Sequence, residues 1–291
     1  MEKRKKRWGD RKDGRWLRDI DAMHIVNAYV QPNRADNEAF ISERIDLTEI
    51  NAYLAKKNAG DVRGLPYTVF HVIAAALAKT VCLRPKMNRF VQDRRVYQRD
   101  TITLSFVIKK RFNDEAEEAL AFIQCDEHTT LDTLHDELVR QVTTFRSESK
   151  DNTTDMMESL KKIPRPILSF LMWILTKLDR KGKMPDFLSK TDPLYATVFI
   201  SNLGSIGLKC GYHHLSNWGT NSVFVVIGEK QLMPFYDADG NVEMREALNL
   251  GLTIDERIAD GYYYSKTVKL LKHLLHNPEL LEQEASMEVS I

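Results

Sequence analysis

The residues able to carry chemistry gather in the last hundred positions. Two hydroxyls, Thr197 and Ser201, lie in Ala196–Gly207 (ATVFISNLGSIG), where their even separation on an extended strand sends both to the same side. Paired histidines, His213 and His214, follow in GYHHLSNWG, and a charged run, DERIADG, spans residues 255–261. Hydroxyls, imidazoles and carboxylates are the groups used for proton transfer and for holding a developing oxyanion. Metal chemistry is not expected, because the eight histidines and three cysteines show no ligand spacing. Asp237–Asn241 (DADGN) imitates the start of a calcium loop, but its glycine is misplaced and Leu248 stands where the closing glutamate is needed, so it reads as a hairpin turn. His71, in an apolar run, reads as a core residue whose polar atoms are satisfied.

These groups need a scaffold, and the hydropathy periods supply one. Residues 37–46 alternate as a strand ending at Asp46, followed by a short helix over 47–57 and a long apolar helix over 68–82 that stops near Pro85. Residues 94–110 read as paired strands around a polar turn at Arg99 and Asp100, with a further strand at 119–125 and a helix over 131–147. Strands return at 195–202, 222–228 and 246–255, where Leu248, Leu250, Leu252 and Ile254 alternate with small or polar residues. A closing helix puts Tyr264, Val268, Leu271 and Leu275 on one face and ends at Asn277 and Pro278. Without regular βαβ alternation or a glycine-rich phosphate loop, the pattern argues an α+β fold, a layered mixed sheet with flanking helices, rather than a dinucleotide-binding sheet.

Composition narrows the partners. With 42 basic and 41 acidic residues among 291, the overall charge recruits neither nucleic acid nor an anionic surface. The local exception is the basic N-terminal extension, residues 1–23, with KRKKRWGDRKDGRWLR at 3–18, which reads as a solvated, partly disordered terminus. Cys82, Cys125 and Cys210 are too few and too scattered for a disulfide framework, so a reducing cytoplasm is the expected location. No run is long enough for a membrane span. The apolar stretch 163–178 (IPRPILSFLMWILTKL), within an expected helical insertion at about 148–192, reads as a buried or interface helix rather than a membrane-docking one.

Several of these segments resemble one family. ATVFISNLGSIG and the strand after it resemble the strand, turn and strand of the 2-oxoacid dehydrogenase acyltransferase catalytic domain. DERIADG, opening the last helix and followed by Asn277, Pro278, Glu279 and Leu280, resembles that family's DHRxxDG motif and its NPE-L ending. Residues 45–54 and 68–81 are also similar to this family and to chloramphenicol acetyltransferase, so the likeness runs over most of 24–282.

The resemblance implies a trimer-forming catalytic domain over 24–283 with a short tail at 284–291, a channel between neighbouring subunits, and CoA or acyl-CoA as substrate. It implies a homotrimer acting on a small-molecule acyl donor and acceptor, with no nucleic acid partner. In such enzymes a histidine takes the proton from a thiol or hydroxyl that attacks a thioester, and a hydroxyl of the facing subunit holds the oxyanion. Carried over, Asp260 corresponds to the aspartate that pairs with an N-terminal arginine, here Arg15 or Arg18. Gly261 matches the first glycine of the last helix, and Arg257 and Asn202 belong to the loops that shape the site. The oxyanion hydroxyl falls to Thr197 or Ser201, with Thr197 fitting the family position slightly better.

At the catalytic position itself stands Glu256. A free glutamate is about two pKa units weaker as a base than histidine, though burial against apolar groups can raise a carboxyl to about 6 to 7. His213 and His214 are the alternative bases. Acyl transfer with Glu256 as base is therefore one expectation, and a catalytically inactive trimeric binding or scaffold protein of the same fold is the other. The sequence lacks the Asp-Lys turn that carries a covalent lipoyl group in this family, so a free-standing catalytic domain without lipoyl is expected.

Overall fold

The strand that organises the molecule is its longest. In the computed structural model, which describes residues 5–60, 64–109, 118–147 and 163–290, β10 (Val242–Asp255) pairs over its second half with two strands at once. On one side Ala247–Asp255 meets β2 (Glu38–Asp46); on the other Leu250–Ile254 meets β8 (Val223–Ile227). The order continues through β7 (Val198–Asn202), β5 (Ile102–Lys109) and β6 (Glu118–Cys125), and β9 (Gln231–Tyr236) folds back on the first half of β10. The β5–β7 and β7–β8 pairings are parallel and the rest antiparallel, so the sheet is mixed. Pro234 in β9 is tolerated because that strand pairs on one side only.

Leu248, Leu250, Leu252 and Ile254 all turn to one face, where they pack with α3 (Val69–Leu83) and α7 (Gly261–His276) in the main core. α3 is buried almost all round, down to Lys79, whose Nζ donates to the Glu284 carbonyl at 2.7 Å. Fully burying an apolar side chain such as Leu250 in this core contributes about 1.5–3 kcal/mol. α2 (Thr48–Asn58) and α4 (Leu131–Ser147) complete that layer. The opposite face carries a smaller cluster, Leu215, Phe224 and Val226, under the loop that follows β7.

A second sheet, β1 (Gly14–Trp16), β4 (Arg95–Arg99) and β3 (Arg89–Gln92), corrects two expectations. Residues 94–110 do form two strands, but β4 and β5 belong to different sheets instead of pairing. Arg99 is no turn residue: it is buried, and its guanidinium donates to the carbonyls of Tyr195 (2.9 Å) and Ala196 (3.2 Å), a post that pulls β4 away from β5. The basic terminus is likewise not wholly solvated. Arg11 is buried, with its Nε 2.8 Å from Asp13 and its Nη2 3.2 Å from Asp179, and β1 is paired through its whole length to β4.

α1 (Ala22–Val30) packs beside this sheet and leaves Met23, Val26 and Val30 exposed. α5 (Arg165–Arg180) is amphipathic, and of its residues only Asp179 is buried. Of the expectation of a buried or interface helix, burial within the described chain therefore does not hold. α6 (Asp186–Ser189) follows. The polar stretch expected to begin the insertion, 148–156, lies outside the described residues. No helix among the described residues is long and apolar enough to cross a membrane.

Candidate active site

β10 ends at Asp255, and the chain must turn before α7 begins at Gly261. Asp255 is 0% exposed, and an unpaired carboxylate there would be costly. Arg257 answers it with a two-pronged ion pair, Nε to Oδ1 at 2.8 Å and Nη2 to Oδ2 at 2.7 Å, while its Nη1 donates to the carbonyls of Gln31 and Pro32 at 3.0 Å each. Arg34, also buried, brings its Nε to 3.7 Å from Asp255 Oδ2. Burial pulls the Arg34 pKa down to about 10 although Asp255 works the other way. Tyr264 clamps the turn, its hydroxyl donating to the Asp255 carbonyl (2.9 Å) and accepting from the Ala259 N–H (3.2 Å).

The consequence is selective. Asp255, Arg257, Ile258 and Ala259 are all buried, and Glu256 alone is turned outward, its own N–H tied to the Asn37 carbonyl at 2.9 Å. Among the described residues nothing hydrogen-bonds the Glu256 carboxylate. His24 of α1 lies next to the turn, its Nδ1 3.2 Å from the Arg257 carbonyl. Arg257 and Arg34 also line a cavity of about 430 Å³ together with Arg94 and Arg180.

Asp260 caps α7, accepting from the Tyr263 N–H at 2.8 Å, as the helix N-terminus requires. Among the described residues no arginine pairs with it: Arg15 pairs with Asp100 at 3.1 Å and Arg18 lies over the Trp16 ring, whereas Lys86 stands 3.8 Å from Asp260.

The hydroxyls separate. Thr197 is buried, donates to Asn88 Oδ1 (2.9 Å) and accepts from the Thr103 N–H (3.1 Å), so its hydroxyl is committed to joining β5 and β7. The slight preference for Thr197 as oxyanion donor finds no support in that geometry. Ser201, half-buried, makes no side-chain hydrogen bond among the described residues and lines a cavity of about 600 Å³. Phe70, Phe106, Leu138 and Phe199 make that cavity largely apolar. Asn202 shapes its rim by accepting from the Ser205 N–H at 3.2 Å. Gly204 is required there because a Cβ would meet the Gly228 carbonyl at 2.5 Å.

His213 joins Ser201 at this cavity, its ring 4.8 Å from that of Phe224, whereas His214 is turned away to Glu38 at 3.1 Å. His71 also reaches the wall. Its Nδ1 accepts from the Thr68 N–H at 3.0 Å, and burial, helped by His135, pulls its pKa down to about 4. It is therefore neutral, with its proton on Nε2, and fits the core role expected for it. Among the described residues no group of His, Cys, Asp or Glu is placed to hold a metal.

The registers set the distance between the two halves of this constellation. Ser201 is level with Val226 and Gly251, five positions before Glu256 on β10. At roughly 3.3 Å per residue that is about 17 Å along the strands. Within one chain Glu256 and Ser201 do not meet. Sequence reasoning did not anticipate Arg34, because nothing local marks an arginine whose partner is Asp255.

Comparison with known proteins agrees with the fold. Residues 175–282 match the model of the 2-oxoacid dehydrogenases acyltransferase (catalytic domain). A probable dihydrolipoamide acetyltransferase from Listeria monocytogenes shares 16% identity over 90% of this chain and 94% of its own, with a TM-score of 0.57. A chloramphenicol acetyltransferase shares 14% over 90% and 99%, with a TM-score of 0.53. The dihydrolipoamide acetyltransferase of Azotobacter vinelandii, studied for the role of a serine, a histidine and an asparagine in its mechanism, shares 16% over 92% and 94%, with a TM-score of 0.52. No curated protein matches the chain significantly. The chain thus has the acyltransferase fold of dihydrolipoamide acetyltransferases and chloramphenicol acetyltransferase, and its last third resembles the 2-oxoacid dehydrogenase acyltransferase catalytic domain.

Proposed function

We propose that this protein is an acyltransferase that moves an acyl group from a CoA or lipoyl thioester to a small acceptor, with Glu256 as general base at a site formed between subunits of a homotrimer. The observation that carries the reading is the Asp255–Ala259 turn, which buries every side chain except Glu256. A turn held by two buried arginines and a tyrosine hydroxyl is an expensive way to present one carboxylate at a surface unless that carboxylate acts. The Azotobacter enzyme's histidine and asparagine are four residues apart, the spacing of Glu256 and Asp260, and in this reading Ser201 takes the part of its serine.

The separation of Ser201 from Glu256 supports a site shared between chains, as do the apolar side chains that α1 exposes beside the Glu256 turn. A neighbour covering that face would dry the carboxylate, and desolvation is what makes a carboxyl a competent base. Glu256 takes the proton of the acceptor's thiol or hydroxyl as its heteroatom attacks the thioester carbonyl. Ser201 Oγ–H donates to the resulting oxyanion, and collapse expels the thiolate, which recovers the proton from Glu256. The apolar cavity beside Ser201 suits the acyl chain, and the arginine-lined cavity beside the turn suits the phosphates of a CoA donor.

One observation favours a second reading: His213 shares the cavity with Ser201, which would make it the base in place of Glu256. The test is release of free thiol from acetyl-, butyryl- and octanoyl-CoA with dihydrolipoamide as acceptor. Glu256→Gln is expected to lower kcat about a hundredfold or more while Glu256→His retains activity. An unchanged Glu256→Gln enzyme with an inactive His213→Gln one transfers the role to His213. Calorimetry showing no CoA binding at millimolar ligand, with no turnover, leaves the non-catalytic scaffold.

A further inference from the structure

α5 is apolar along a face that no other part of the described chain covers. Leu168, Leu171, Leu175 and Leu178 form a half-buried stripe toward the protein, while Phe170 and Trp173 stand 62% and 57% exposed on the outer side. Their rings stack, with centroids 6.0 Å apart, and Lys177 Nζ lies 5.8 Å from the Trp173 ring. Phe170, Lys177 and Lys181, with the half-buried Ile174 between them, recur at spacings of three and four, so aromatic and cationic groups share one exposed face.

The charge is one-sided. Between Arg165 and Lys190 there are six cations and two carboxylates, and both carboxylates are already paired, Asp179 with Arg11 and Asp186 with Lys12. The first of those pairs also brings Arg11 of the basic N-terminal arm against the end of α5. A second copy of the chain seated face to face would set these cations against their own kind.

From this we infer that α5 is a peripheral membrane anchor, lying in the interface of an anionic bilayer with Phe170 and Trp173 in the acyl boundary and Lys177 and Lys181 at the headgroups. An amphipathic helix with aromatic residues beside a cationic rim binds there by apolar burial plus attraction to anionic lipid. At sixteen residues it is too short to span, and a side-on position is the one its apolar face permits.

The experiment is co-flotation of the full chain with vesicles of phosphatidylcholine alone and of phosphatidylcholine with 30% phosphatidylglycerol. The expected result is at least tenfold stronger partition into the anionic vesicles, weakened by 0.5 M salt. Phe170→Glu/Trp173→Glu should lose tenfold or more, with the circular dichroism spectrum unchanged because both side chains are exposed. Lys177→Glu/Lys181→Glu should lose the preference for phosphatidylglycerol. Equal partition into both vesicles, no partition at all, or wild-type partition by both variants overturns the proposal. So does a drop in oligomer mass on light scattering, without lipid, when Phe170 and Trp173 are replaced, since the face would then be a contact between copies.

Discussion

Arg257 reaches back two residues to grip Asp255 with both nitrogens of its fork, and the residue between them, Glu256, is the one side chain of the turn that faces outward. The pair sits where water cannot replace either partner. Removing one leaves an uncompensated buried charge, a loss of about 3–5 kcal/mol. Arg257→Met is accordingly expected to lower the urea unfolding free energy by that amount and to abolish transferase activity. Asp255→Asn keeps the shape but leaves the buried Arg257 and Arg34 facing an uncharged amide, and is expected to cost at least as much of both.

The two hydroxyls of the β7 region make opposite predictions. Thr197→Val strands Asn88 Oδ1 and the Thr103 N–H, and is expected to cost about 1–3 kcal/mol of stability while leaving kcat of the folded enzyme within a few-fold. Ser201→Ala removes no hydrogen bond within the described chain and should leave the melting temperature unmoved, yet lower kcat about 10²–10³-fold. Parallel melting curves and kcat values decide it: the reverse pattern would return the oxyanion role to Thr197.

His71 gives a pH signature. Burial, with His135 beside it, pulls its pKa down to about 4, whereas the unfolded chain titrates near 6.5. Between those values the unfolded state binds more protons, so stability is full above about pH 6.5, falls as the pH drops toward 4, and levels off below. The span is about 3 kcal/mol at most. Urea midpoints from pH 7.5 to 4 should show it, and His71→Gln should flatten that part of the curve.

Gly204 tests the turn that carries Ser201. A Cβ there would stand 2.5 Å from the Gly228 carbonyl, a backbone atom that cannot swing aside. Gly204→Ala is expected to destabilise by about 1–3 kcal/mol through a forced backbone shift, and to reduce kcat beyond that because Asn202 and Ser201 move with the turn. A crystal structure of the variant with Ser201 undisplaced would contradict this.

How much was legible follows from the range of the forces involved. Strands β2, β8 and β10 and helices α3 and α7 were readable because their side chains repeat with the period of the element, and a periodic apolar face needs no knowledge of its partner. DERIADG and ISNLG were legible as motifs for a related reason: a turn and a cap are short-range arrangements, and Asp260 does cap α7. β1 and β9 escaped notice, since a three-residue strand and one interrupted by Pro234 carry little period of their own.

What the sequence determined by itself was thus the periodic core elements, the α+β class and the presence of Glu256 at the position where the resemblance expects a histidine. The tertiary structure alone decided which groups are free to act. Thr197 and Ser201 share a strand side by period, but burial under neighbouring elements commits one hydroxyl and leaves the other beside a cavity. Arg34 and Asp255, or Arg11 and Asp179, find each other across 168 positions or more because a buried charge must be paired, and no local pattern names its partner.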